Sequence, residues 1–157
     1  RVLDLSHNDL GDNCYQKVAE MIRSNQELAK LDLSQCHLGP QTGRVLGGAL
    51  ILNTALRRID VSTNKLGDDG CKSICRALKM NTIIQDINLG NNEITDESCP
   101  VIKESLKFNS TLTTLNLRGN LLTEAGTAHL ASALESNCKL RSLVLSWNNL
   151  NDAGTSR

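Results

Sequence analysis

"LRRIDVSTNKLGDDGCKSICRALKMNT", residues 56–82, holds two different hydrophobic periods side by side. Ile59 and Val61 alternate with Arg58, Asp60 and Ser62, which is the period of a half-buried strand. Further on, Ile74 and Leu78 stand four residues apart, on one face of a helix. Between them lie Gly67, a turn residue, and Asp68, an acid placed where a helix begins and its dipole is positive. The stretch therefore reads as strand, turn, helix and return loop.

Working outward, the same unit recurs in both directions. Asn64 has counterparts at Asn8, Cys36, Asn92, Asn120 and Asn148, each 28 residues from the next. A second column, Asn25, Asn53, Asn81, Asn109 and Asn137, keeps the same step. The turn column is Gly11, Gly39, Gly67, Thr95, Thr123 and Asn151, followed by Asp12, Pro40, Asp68, Asp96, Glu124 and Asp152. The helical stripe is Val18, Leu46, Ile74, Ile102 and Leu130, with Ile22, Leu50, Leu78, Leu106 and Leu134 four residues later. Written as L56-x-x-I59-x-V61-x-x-N64-x-L66, and again from Leu28, Ile84 and Leu112, this is the leucine-rich-repeat pattern.

One unit cannot bury its own apolar face, whereas stacked units share a core. Parallel strands stack about 4.8 Å apart and helices about 10 Å. A stack of both must bend, with strands inside. The expected fold is an α/β solenoid, a horseshoe arc of about six 28-residue strand–helix repeats. Its parallel sheet lines the concave face and its helices lie outside. At the Asn/Cys position, an asparagine side chain is expected to bond backbone groups that the turn leaves unpaired, in its own unit and the next. Cys36, small and a weak donor, fills the same place with a thinner bond. Arg1 starts within a strand and Arg157 follows shortly after a helix start, and neither end shows a polar capping unit. Residues 1–157 are thus expected to be one leucine-rich-repeat domain, partial at both ends.

The bulk properties narrow the function. Seventeen Lys and Arg balance 17 Asp and Glu over 157 residues, so no net charge draws the chain to nucleic acid or an anionic membrane. No apolar run approaches the roughly 20 residues of a membrane span. The six cysteines, Cys14, Cys36, Cys71, Cys75, Cys99 and Cys138, include no Cys-x-x-Cys, and no histidine stands at a ligand spacing to any pair. They are read as reduced core fillers, with no metal and no cofactor, which implies a reducing compartment. Asn109-Ser110-Thr111 matches a glycosylation sequon but occupies the repeat's own N-x-T/S slot. His7, Asp4 and Ser6 superficially resemble a triad, yet neighbouring strand side chains point to opposite faces and set up no relay. His37 and His129 fall in other layers of the repeat, His129 on the outer helix. No enzyme chemistry is expected.

The hollow is lined by what the strands leave unburied. Its central column is Asp4, Asp32, Asp60, Asn88, Asn116 and Val144, and the strand exits carry His7, Gln35, Thr63, Asn91, Gly119 and Trp147. Three aspartates on adjacent strands repel one another unless answered. Lys30 and Arg58 are placed to answer them, and an unanswered acidic stripe would favour a partner with a basic surface. Tryptophan is enriched at interface hot spots. Asp4, Asp32, Asp60, Arg58, Asn88, Asn116, Arg118 and Trp147 are the candidate partner-binding residues.

The unit quoted above resembles the ribonuclease-inhibitor-like class of leucine-rich repeats, and the resemblance covers residues 1–157. It implies a cytoplasmic protein, including nuclear, cytoskeletal and ciliary settings, that binds another protein through the concave sheet and its rim. The expected function is a non-catalytic protein–protein interaction scaffold. Two alternatives come from the same class: a ligand-sensing or autoinhibitory repeat domain of an NLR-type immune receptor, and a GTPase-activating regulator of the Ran-activator type.

Overall fold

The computed structural model describes residues 1–150. Asn151 and Asp152, the last members of the turn and acid columns, and the helix expected to start there lie outside the described residues. Six three-residue strands, β1 (Val2–Asp4), β2 (Lys30–Asp32), β3 (Arg58–Asp60), β4 (Asp86–Asn88), β5 (Thr114–Asn116) and β6 (Ser142–Val144), form one parallel sheet in sequence order. Pairing keeps the 28-residue register throughout, with Leu3, Leu31, Ile59, Ile87, Leu115 and Leu143 aligned across the sheet. Between strands run α1 (Tyr15–Ser24), α2 (Pro40–Leu52), α3 (Gly67–Leu78), α4 (Cys99–Phe108) and α5 (Glu124–Leu134). Short 3-10 turns at Asp12–Cys14 and Asp96–Ser98 lead into α1 and α4.

The core is the shared aliphatic layer between sheet and helices. Leu33, Val61, Leu89 and Leu117 are wholly buried behind the strands, as are Leu38, Leu66, Ile94 and Leu122 at the turns. Leu46, Ile74, Ile102 and Leu130 meet them from the helices. Each such side chain contributes roughly 1.5–3 kcal/mol relative to exposure. Leu134, expected in the same stripe, is 40% exposed.

Two asparagine ladders tie each repeat to the one before it. Asn64 Oδ1 accepts the N–H groups of Cys36 and Leu38 at 3.0 and 2.9 Å, while its Nδ2 donates to Leu33 O and Val61 O. Asn120 does the same for Asn92 and Ile94. The expected partners were the asparagine's own unit and the next. The bonds within its own unit are present, but the other partner is the previous unit, because the turn N–H groups of each repeat open toward its follower. Cys36 Sγ donates to Leu5 O at 3.0 Å, the thinner bond expected of it, but offers Leu10 no acceptor, and Leu10 N–H closes onto Asn8 O instead. In the second ladder Asn53, Asn81, Asn109 and Asn137 donate Nδ2 to carbonyls at the end of the preceding helix, Ile22, Leu50, Leu78 and Leu106, at 2.6–2.7 Å. Asn109, the asparagine of the sequon, is itself buried and so bonded.

The acid column works the other way. Asp12 Oδ1 accepts from Gly39 N–H and Thr42 N–H, and Asp68 and Asp96 accept from the N–H and hydroxyl of Thr95 and Thr123. Each of these three aspartates therefore caps the helix start of the following repeat rather than its own.

Candidate functional site

The side chains on the open face of the sheet begin with an Asx turn at each strand end. Asp4, Asp32 and Asp60 each accept the backbone N–H of the serine two residues on, at 2.9 Å, and that serine's hydroxyl at 2.6–2.7 Å. Asn88 and Asn116 accept the N–H of Gly90 and Arg118 in the same way. Val144 has no oxygen to continue the series. The next residue but two, His7, Gln35, Thr63, Asn91, Gly119 and Trp147, takes a left-handed backbone with φ of 52–67° in every repeat. Only Gly119 adopts that without strain. A Cβ there would also sit 1.9 Å from Asn91 Oδ1.

This corrects the expected balance of charge. The aspartate column is held by serine and backbone donors, not by cations. Asp60 gains a further bond from Asn88 Nδ2 at 2.8 Å. Arg58 turns instead to Asp86 at 2.6 Å, and Lys30 is in none of the ion pairs among the described residues. The Ser6 hydroxyl and N–H hold the Asp4 carboxyl below its ordinary pKa, so it stays an anion. Ser6 thus does meet Asp4, since residues two apart share a strand face, but its proton is directed to the carboxylate. His7 faces Gln35 at 3.4 Å. The pair recurs at Asp32–Ser34 and Asp60–Ser62, a structural motif of the repeat.

The eight candidate residues line adjoining depressions along the face, and Arg58, Asp60, Asn88 and Asn116 share a middle one of about 260 Å³. Asp4, Asp32, Asp60 and Arg58 line a shallow depression of about 240 Å³. Asn88, Asn116, Arg118 and Trp147 line another of about 540 Å³, together with Asn91 and Gly119. Trp147 is 78% exposed, and the Arg118 guanidinium stands 5.5 Å from its ring centroid, a cation–π geometry. Asn91 was not among the expected residues. Its signal was the left-handed strand exit, a column of His, Gln, Thr, Asn, Gly and Trp with no β-sheet logic.

The cysteines carry little chemistry. Cys36, Cys71, Cys75 and Cys99 are buried, and all six are free. Cys14 is half-buried and Cys138 is exposed, so Cys138 is not the core filler it was expected to be. Burial, aided by nearby Asp96, pushes the Cys99 thiol up to about 12, and the Cys71 contact together with burial raises Cys75 well above the thiol range. These are unreactive thiols. Among the described residues, no three His, Cys, Asp or Glu side chains gather as a metal site, and no helix is long and apolar enough to cross a membrane.

A parallel sheet in sequence order, one helix per repeat on its far side and asparagine ladders in register define a leucine-rich-repeat solenoid. The Leucine Rich repeat family matches residues 1–13, 52–75, 108–126 and 136–156. The chain is a leucine-rich-repeat protein. Among solved structures, leiomodin-1 Actin-Binding Site 2 is similar with a TM-score of 0.77 and 22% identity, covering 89% of this chain and 82% of that one. A tropomodulin C-terminal domain from Caenorhabditis elegans is similar with a TM-score of 0.71 and 12% identity, covering 84% and 82%. At these identities the likeness is one of fold. No curated protein matches the sequence.

Proposed function

We propose that the chain is a non-catalytic protein-binding scaffold that docks a partner on the concave sheet and its strand-exit rim. The observation that carries this reading is Trp147, solvent-exposed beside Arg118 at the mouth of the larger depression. Tryptophan and arginine are both enriched among interface hot spots. The partner then meets an acidic end at Asp4, Asp32 and Asp60 and a cationic, aromatic end at Arg118 and Trp147. Six free cysteines fit a reducing, cytoplasmic setting.

Within this reading the first partner to test is actin, because a structurally similar chain is titled as an actin-binding site. Actin binding is measured by co-sedimentation and titration, with Trp147→Ala as the variant. The expected loss is about 2 kcal/mol of binding with the unfolding midpoint unchanged. Equal affinity of variant and wild type removes Trp147 from the interface. A scaffold leaves GTP hydrolysis by small GTPases unstimulated, whereas the Ran-activator-type alternative accelerates it. The NLR-type alternative requires a nucleotide-binding domain in the same polypeptide.

A further inference from the structure

The outer rim, where the helices end, carries apolar side chains that the fold does not use. Leu52, Met80 and Phe108 occupy one repeat position, 28 residues apart, and are 63%, 70% and 59% exposed. In the first and fifth repeats the same position holds Ser24 and Ser136. The row is therefore confined to three adjacent repeats and is not a demand of the repeat itself. Isolated exposed apolar residues are ordinary, but an aligned row is the mark of a contact surface.

Its charge is mainly positive. The C-terminal halves of α3 and α4 and the residue following α3 contribute Arg76, Lys79 and Lys107 against Glu104. Lys79 bonds Glu104 at 2.6 Å, and its Nζ also stands 5.1 Å from the Phe108 ring, with Lys107 Nζ at 5.9 Å. Lys79 lies one repeat before Phe108, so the apolar row and the cations form one continuous surface.

We propose that this rim is a second docking surface, separate from the concave face, and that its occupant is an acidic amphipathic helix of a protein partner. The spacing selects a helix. Neighbouring packed helices lie about 8–10 Å apart, and two turns of an α-helix advance about 10.5 Å. A helix laid across the repeats with apolar residues at i, i+7 and i+14 meets Leu52, Met80 and Phe108 in turn. Glutamates or aspartates beside them face Lys79 and Lys107.

The test uses a fluorophore-labelled synthetic helix with leucines at i, i+7 and i+14 flanked by glutamates, titrated with the 157-residue chain and followed by anisotropy. Met80→Ser/Phe108→Ser and Lys79→Glu/Lys107→Glu are each expected to weaken binding at least roughly tenfold. Trp147→Ala, on the other face, leaves it unchanged. The unfolding midpoint of Met80→Ser/Phe108→Ser matches wild type because both side chains are exposed. A peptide with lysines in place of the glutamates does not bind. Three results overturn the proposal: the rim variants hold the peptide as tightly as wild type, the lysine peptide binds equally well, or the chain binds vesicles of anionic phospholipid but not the acidic peptide.

Discussion

The joint between the second and third repeats and the joint between the fourth and fifth solve one problem by different means. At the later joint Asp96 reaches forward, and its carboxylate accepts Thr123 N–H at 2.8 Å and the Thr123 hydroxyl at 2.5 Å. Thr123 in turn caps α5 by accepting Ala125 N–H. At the earlier joint Pro40 stands in the acid column and has no side chain to offer. There the glycine takes φ of +58° at Gly67, against about −108° at Thr95 and Thr123 and −107° at Gly39, all three of which an acid holds. The helices then close on one another. A Cβ on Gly43 would lie 2.4 Å from Gly70 Cα, and one on Gly47 would lie 2.6 Å from Ser73 O. Where the polar cap is missing, backbone packing replaces it, and glycine is the residue that makes both the turn and the approach possible.

The largest effect should come from blocking that approach. Gly47→Val is expected to cost about 3 kcal/mol by overpacking α2 against α3. Its counterpart two repeats on, Lys103→Val, should stay within about 0.5 kcal/mol. Urea unfolding of both variants checks the contrast, and equal costs would mean that the two joints do not differ. Next in size, Asp96→Ala removes the polar cap of the later joint and should cost about 1–2 kcal/mol. The urea midpoint would fall accordingly.

The smallest effect concerns pH. Burial pushes the Asp68 carboxyl up, but bonds from Ser98 and Thr95 outweigh it and leave the pKa below its ordinary value. Burial and the bonds from Thr42 and its neighbours leave Asp12 shifted the same way. A carboxyl depressed in the folded state contributes fully above the ordinary value of about 3.9 and loses its contribution as pH falls through the depressed pKa. Asp68→Asn should therefore be less stable than wild type at neutral pH by roughly 0.5–1 kcal/mol. The gap should narrow below about pH 4, as read from urea midpoints across that range.

The solenoid was legible because one period held six times. Columns such as Leu33, Val61, Leu89 and Leu117 announce their shared layer without any knowledge of coordinates. What a column cannot announce is direction. Asn64 was legible as a turn residue, but whether it served the unit before or the unit after depends on where neighbouring N–H groups point. Asp68 likewise read as a cap for its own helix, and its partner Thr95 lies 27 residues on. The Asp–x–Ser phrase at Asp60 and Ser62 held the Asx-turn signal, yet the repulsion between adjacent aspartates drew attention to cations instead. The candidate face was legible as a list of residues. The depressions along it were not, because the Arg58–Asp86 pair and the Arg118–Trp147 contact cross between strands.

The asparagine ladders also give the chain an order of assembly. On a ribosome, a turn such as that of the second repeat emerges with N–H groups that the asparagine of its follower later accepts, as Asn64 does for Cys36 and Leu38. Such a module therefore stays open until another 28 residues have been synthesised. Wherever the follower carries that asparagine, folding trails translation by one unit, and the most recently made module is the one a chaperone would find unfinished.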